Sequence, residues 1–314
     1  MTAHTLVTGG SGFVGSAVLA RLRHSQLPAL GVVRRAVPVG DCVRGPALEG
    51  VGDWSQLLQG CAVVVHTAAR VHVMRDSASD PLNAYRAANV EGTVNLARQA
   101  AAAGVRRFVF ISSIKVNGEE TAPGRPFTSD DRPSPLDPYG MSKAEAESGL
   151  KALAAATGME VVIIRPPLVY GPGVKANFLN MMRWLRLGVP LPLGAVEHNR
   201  RSFVALDNLV DLIVTCIDHP AAANRTFLVS DDMDLSTSEL LRRLAAAIGV
   251  SARLFPVPVW ALHAGAKMTG RNALFQRLCG NLQVDIATTR EALDWCPPIG
   301  VDEGLRRAAE GFRA

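Results

Sequence analysis

The sequence predicts an α/β fold, a doubly wound parallel sheet with a smaller C-terminal lobe. Three observations carry that prediction. Short apolar runs alternate with helical patterns through the first half of the chain. A loop of regularly spaced glycines stands between the first run and the first helix. Beyond residue 170 the alternation loosens into helices separated by proline-rich pieces. Short apolar runs bounded by helices are strands covered on both faces, and strand–helix repetition builds a doubly wound sheet.

Taken in order, residues 5–8 read as the first strand. Gly9-Gly10-Ser11-Gly12-Phe13-Val14-Gly15 and an amphipathic helix to about Arg23 follow at once. Strands are expected at 29–34, 37–40, 62–66, 107–112 and 161–165, with helices near 54–59, 83–103 and 138–157. Residues 1–170 therefore read as the sheet domain. Helices near 176–187, 207–218, 236–248 and 301–312, with Pro-rich pieces at 189–193 and 255–259, make 171–314 mainly a second lobe, interleaved with the last strands.

Composition bounds the function. The 314 residues are 48% hydrophobic and 19% charged, which excludes disorder as the main state. Lys and Arg number 33 against 28 acids, a net charge of +5. The excess is scattered and aromatics are only 5%, so no stacking surface for nucleic acid is indicated, and an enzyme for anionic substrates fits equally. Five cysteines are widely spaced without a Cys-x-x-Cys, so neither a metal site nor a disulfide framework is expected. The N-terminus lacks the pattern of a secretory signal, and no apolar run is long enough to span a bilayer. A soluble, cytoplasmic protein is the expectation.

Gly9, Gly12 and Gly15 form G-x-x-G-x-x-G between a strand and a helix. The chain must turn sharply there, approach a pyrophosphate closely and pack the helix on the strand, and glycine permits all three. The N–H groups of the helix start, at Phe13, Val14 and Gly15, then face the phosphates. The second strand ends Val33-Arg34-Arg35, with no acid where a ribose 2′-hydroxyl would be bound. Two guanidiniums suit a 2′-phosphate, which favours NADP over NAD. Asp41 is a candidate for the adenine amino group, with Asp53 as its rival.

A second constellation follows. The fifth strand ends Ser112-Ser113-Ile114-Lys115, and Asp137-Pro138-Tyr139-Gly140-Met141-Ser142-Lys143 opens a helix. Asp137 suits the N-cap and Pro138 the first helical position. Tyr139 and Lys143 then stand one turn apart on one face. A nearby ammonium is expected to pull the phenol pKa down, and such a tyrosine can exchange a proton with an alcohol.

These motifs resemble the extended short-chain dehydrogenase/reductases, the NAD-dependent epimerase/dehydratase group acting on nucleotide sugars, over nearly the whole chain. His66-Thr67-Ala68-Ala69, Asn89 and Arg165-Pro166-Pro167-Leu168-Val169-Tyr170-Gly171-Pro172 extend the match. The resemblance implies a Rossmann-type domain in which Ala68, Ala69 and Pro166 adjoin the cofactor, Lys143 holds its ribose, and Ser113 bonds the reacting oxygen. It implies a C-terminal lobe that grips a UDP-sugar through Asn177, Arg201 and Arg277, with Arg271 as an alternative to Arg277. The family's 4,6-dehydratases have an Asp-Glu pair after the catalytic Ser/Thr. Here Ile114 and Lys115 stand there, which argues against that reaction.

A 4-ketoreductase and a 4-epimerase remain. The Arg34-Arg35 pair and a likeness to enzymes making UDP-N-acetylquinovosamine-type sugars favour a UDP-4-keto-6-deoxy-HexNAc reductase. A UDP-glucose or UDP-N-acetylglucosamine 4-epimerase with tightly held NAD is the alternative, and a non-enzymatic dinucleotide sensor is a third reading. Leu168 stands where many epimerases of the group have Asn. Lys115 is expected near the sugar ring or paired with Glu119, and His72 reads as structural. The resemblance also implies a homodimer, with helices 83–103 and 138–157 as its seam.

Overall fold

The computed structural model describes residues 4–34, 42–71 and 80–313. β1 (His4–Thr8) leads through the glycine loop to α1 (Phe13–His24) and β2 (Ala29–Val33). β3 (Cys42–Arg44), α2 (Ser55–Leu58) and β4 (Cys61–His66) follow. Then come α3 (Pro81–Arg86), a π-helical segment (Ala87–Glu91), α4 (Gly92–Ala102) and β5 (Arg107–Ile111). A 3₁₀ turn (Ile114–Val116) precedes α5 (Pro138–Thr157), β6 (Glu160–Arg165) and β7 (Leu168–Tyr170). The C-terminal half holds α6 (Ala176–Arg186), β8 (Phe203–Ala205), α7 (Leu206–Asp218) and β9 (Thr226–Leu228). It ends with α8 (Thr237–Ile248), α9 (Val259–Met268), α10 (Asn272–Cys279), α11 (Ala287–Leu293) and α12 (Val301–Arg313).

The main sheet is parallel throughout, in the order β3-β2-β1-β4-β5-β6-β9. Its strand order reverses between β1 and β4, the switch point where open α/β sheets bind ligands at their carboxyl ends. The strands are apolar on both faces because both are covered. Val109 and Ile111 of β5 pack in a core with Val18, Leu22, Leu209 and Ile213 of α1 and α7. Phe108 and Phe110 turn to the opposite core, with Leu96 and Ala100 of α4 and Leu150 of α5. A third core gathers Phe178, Met182, Leu244 and Leu305 from α6, α8 and α12. Among the described residues no helix is long and apolar enough to cross a membrane.

Several boundaries follow from local chemistry. Asp137 Oδ1 accepts the Gly140 amide at 2.7 Å, Pro138 occupies the first turn of α5, and Gly158 closes it at φ 76°. One expectation lies beyond the described residues and another needs correction. The strand expected at 37–40 lies outside the described residues, and the third strand described is β3. The helix expected over 83–103 is two α-helices joined by π-helical turns. β7, β8 and β9 have three residues each, too few to show a period. β9 extends the sheet beyond β6, so the chain returns to the sheet after residue 170.

Candidate active site

The residues singled out in the sequence converge on the carboxyl ends of β1, β4, β5 and β6. Gly9 turns the chain at φ 72°, and a Cβ there would stand 2.8 Å from Thr67 Oγ1 and 2.9 Å from the Ala68 nitrogen. A Cβ on Gly15 would lie 2.3 Å from the Gly9 carbonyl oxygen. The Gly12 amide donates to that same oxygen at 2.8 Å, which folds the loop tightly under α1. No side chain caps α1, and its first amides, at Phe13, Val14 and Gly15, have no acceptor within the helix. A loop without room for side chains, opening on a row of free donors, fits the pyrophosphate of a dinucleotide.

A buried polar chain ties the two central strands together behind this loop. Thr8 Oγ1 meets His66 Nδ1 at 2.7 Å, and His66 Nε2 meets Thr93 Oγ1 at 3.0 Å. Burial, helped by the Lys143 charge, holds the His66 pKa down at about 3, so the ring is neutral. Thr67 Oγ1 donates to the Thr8 carbonyl at 2.6 Å, and the Ala68 amide reaches Thr8 Oγ1 at 3.4 Å. Ala68 and Ala69 are half-buried beside the glycine loop. Asn89, in the π-helical segment, fixes the next residue from both sides. Its Oδ1 accepts the Arg70 amide at 2.8 Å, and its Nδ2 donates to the Arg70 carbonyl and to Ser142 Oγ, each at 3.0 Å. The π-helical turns thus sit at a functional junction, where such irregularities tend to be found.

Tyr139 and Lys143 share one face of α5. The Lys143 ammonium lies 6.0 Å from the Tyr139 ring centroid, donates to the Ile111 carbonyl at 2.8 Å and sits 4.4 Å from the Phe110 ring centroid. Tyr85 meets Tyr139 edge-on at 6.1 Å. Ser113 leaves β5 extended, its Oγ accepting the Lys115 amide at 3.3 Å. The Pro166 carbonyl accepts the Ile114 amide at 3.0 Å, which ties the exit of β6 to the same corner.

The expected acidity of the phenol is corrected by this geometry. Burial, the Asp137 carboxylate and Tyr85 push Tyr139 above the ordinary phenol range, while burial draws Lys143 down to about 7 against the opposing pull of Glu147. The ammonium is 2% exposed and bonded to a carbonyl, so desolvation outweighs the benefit it gives the phenolate.

Beneath the pair lies a network that the sequence reading missed. Glu147 accepts from Arg165 Nε at 2.9 Å, from Arg165 Nη2 at 2.5 Å and from Ser112 Oγ at 2.5 Å. Arg165 Nη1 donates to Asn117 Oδ1 at 2.9 Å, and all four residues are buried. Glu147 stands one turn beyond Lys143, so the spacing Tyr139-x-x-x-Lys143-x-x-x-Glu147 held the signal.

The remaining expectations divide. The Lys115 ammonium pairs with Asp137 and, at 2.9 Å, with Glu119, so it braces the N-terminus of α5. The pairing with Glu119 is one of the two readings expected of it. Asp53 Oδ1 accepts the Ser55 amide at 2.9 Å at the start of α2. Arg34 is exposed at the end of β2, whereas Arg35, Asp41 and His72 lie outside the described residues. In the second lobe, Arg201 Nη1 donates to the Gly280 carbonyl at 3.1 Å. Burial lowers the Arg201 pKa, Glu120 opposes that shift, and the neighbouring Arg277 charge adds to it. Two guanidiniums close enough to act on one another would suit an anion. Asn177 is exposed in the first turn of α6, apart from the contacts that gather Arg201, Glu120 and Arg277.

A Rossmann-type sheet, a glycine-lined phosphate loop and a Ser-Tyr-Lys corner define a dinucleotide-dependent enzyme of the short-chain dehydrogenase/reductase kind. The chain matches the NAD dependent epimerase/dehydratase family over residues 5–230 and belongs to it. It is 50% identical, over 98% of its own length and 94% of the relative's, to a UDP-glucose 4-epimerase of Vibrio cholerae. A short-chain dehydrogenase/reductase superfamily protein of Agrobacterium tumefaciens, solved with bound NAD, superposes with a TM-score of 0.78 at 26% identity, covering 99% and 97% of the two chains. MoeE5 in complex with UDP-glucuronic acid and NAD gives 0.79 at 26% identity, covering 99% of each chain.

Proposed function

We propose that this enzyme is a UDP-hexose 4-epimerase acting on UDP-glucose or UDP-N-acetylglucosamine with NAD retained through turnover. The observation that carries the reading is the 50% identity to a UDP-glucose 4-epimerase across 98% of the chain. The sequence-based preference for a 4-ketoreductase rested on Arg34-Arg35 and on likeness to reductase segments, and the 50% identity across the chain outweighs both. The absence of an acid pair after Ser113 agrees with an epimerase, because removal of the C5 proton is not required of it.

Bound at the glycine loop, NAD supplies the acceptor and donor of hydride at C4. The chain's own residues manage protons and position. Tyr139 Oη takes the proton of the C4 hydroxyl and later returns it. Ser113 Oγ donates to the same oxygen. Lys143 Nζ holds the cofactor ribose and carries the charge that lets the phenol ionise. Phe13, Val14 and Gly15 amides hold the pyrophosphate, with Ala68, Ala69 and Pro166 lining the floor. Arg201 and Arg277 grip the substrate diphosphate, with Asn177 at its edge. The sugar must turn over between the two half-reactions, which requires a grip anchored on the diphosphate rather than on the ring. The cytoplasm, where UDP-sugars are made and used, is the compartment proposed, and α4 with α5 is the proposed homodimer seam.

The test is incubation of the purified enzyme with UDP-glucose and with UDP-N-acetylglucosamine, without added cofactor, followed by NMR of the anomeric protons. Interconversion at C4 is expected. Consumption of NADPH with a UDP-4-keto-6-deoxy-HexNAc, in the absence of any interconversion, would overturn the epimerase in favour of the reductase. Arg34→Ala weakens NADP more than NAD where the guanidinium meets a 2′-phosphate, and equal binding changes assign it to solvent.

A further inference from the structure

The hairpin of α9 and α10 presents a surface for which the proposed reaction has no use. α9 reads Val-Trp-Ala-Leu-His-Ala-Gly-Ala-Lys-Met, yet neither helix contains a buried residue. The two helices rest on one another, with His263 stacked on Phe275 at 4.7 Å. Trp260, Ala264, Lys267 and Met268 recur at helical spacing on a single face. Trp260 is 75% exposed and Met268 88%. The end of α6 adjoins the root of the hairpin, where Leu191 bridges Leu254 and the Arg253 guanidinium lies against Gly188. Leu187 and Phe255 are exposed in the same stretch.

The charged side chains of the hairpin itself, Lys267, Arg271 and Arg277, are all basic. Residues 240–284 contain no aspartate or glutamate, and residues 161–196 contain none either. Arg242 and Arg243 are neutralised by Glu197 and Asp302. Arg183, Arg253 and Lys267 form no ion pair among the described residues. A second copy of the chain on this face would set the basic side chains of the two hairpins against each other. An anionic, apolar surface satisfies both features at once, with aromatic and thioether side chains at the acyl boundary and cations at the headgroups.

We propose that the α9–α10 hairpin docks on an anionic phospholipid bilayer, lying in its interface through Trp260 and Met268 with Lys267 and Arg253 against the headgroups. A helix of ten residues is too short to span and lies flat. The docked hairpin stands next to the proposed diphosphate grip. Gln276 Nε2 donates to Glu120 Oε2 at 2.8 Å, and Arg277 neighbours Arg201.

The experiment is co-flotation of the full-length protein with phosphatidylcholine vesicles, with and without phosphatidylglycerol. Binding to the anionic vesicles is expected, at least about tenfold stronger than to the neutral ones and released by high salt. A double variant Trp260→Ser with Met268→Ser, and separately Lys267→Glu, each lose about tenfold in binding while turnover and melting temperature are retained. Failure to bind, equal binding to neutral vesicles, or binding unchanged in the variants overturns the proposal. Sedimentation velocity without vesicles is expected to show the same oligomeric state for wild type and variants. Dissociation of the variants would assign the face to a second copy and overturn it as well.

Discussion

Replacing Glu147 by glutamine is the sharpest probe of the buried network under the active site. The side chains of Glu147 and Arg165 are 3% and 2% exposed. Glutamine keeps the volume, removes the charge and turns one acceptor into a donor that faces the guanidinium. Arg165 is then left buried without a counter-charge, with only neutral side-chain acceptors, the glutamine oxygen and Asn117 Oδ1 at 2.9 Å. Breaking a buried ion pair from one side costs about 3–5 kcal/mol, a large share of the roughly 5–15 kcal/mol that holds a domain together. At about 2–4 °C per kcal/mol, the midpoint falls by roughly 6–20 °C. Urea unfolding followed by circular dichroism, together with a thermal scan, measures both quantities. Removing both charges in Glu147→Leu with Arg165→Met is expected to destabilise less than Glu147→Gln alone, because no uncompensated charge remains. A loss under about 1 kcal/mol in Glu147→Gln, or a double variant weaker than the single, would refute the reasoning.

Other outcomes follow from the site. Tyr139→Phe lowers turnover by about 100-fold or more with little change in NAD affinity, since only the proton carrier is lost; turnover near wild type removes its acid/base role. Gly15→Ala places a methyl 2.3 Å from the Gly9 oxygen, so the loop must open. NAD affinity, read by isothermal titration, is expected to fall at least about tenfold. His66 binds a proton near pH 3 when folded, against 6.5 when free, so between those values the unfolded chain holds the extra proton. Its contribution to stability is therefore lost as pH falls through that window, by up to about 1.4 kcal/mol per pH unit. A stability–pH curve for His66→Gln should be correspondingly flatter there, and a parallel curve would refute the assignment.

Much of the fold was legible because its signals are local. The glycine spacing states where β1 ends and α1 begins, and Asp137 with Pro138 states where α5 begins. The parallel strands are visible because both their faces are buried. What escaped was what depends on distant partners. β9 is three residues long and becomes a strand only by lying beside β6. The direction of the Tyr139 shift could not be read from the lysine one turn on, since it is set chiefly by burial in the fold, with Asp137 and Tyr85 adding to it. Lys115 was placed correctly along the chain, but its Asp137 partner is 22 residues away. Arg277 comes near Arg201 because α10 folds back toward it, a closure no spacing announces.

The path of the polypeptide gives the enzyme one last property. After entering the second lobe at α6, it comes back as β8 and α7, and α7 packs on α1 behind the glycine loop. It then supplies β9 to the edge of β6 before leaving again. The halves are therefore laced together rather than joined by a hinge of a single strand. A fragment ending at residue 170 would expose the flank of β6 and the back of α1, and the two parts could not be swapped among relatives like cassettes. Any new substrate preference must arise by reshaping side chains within this weave.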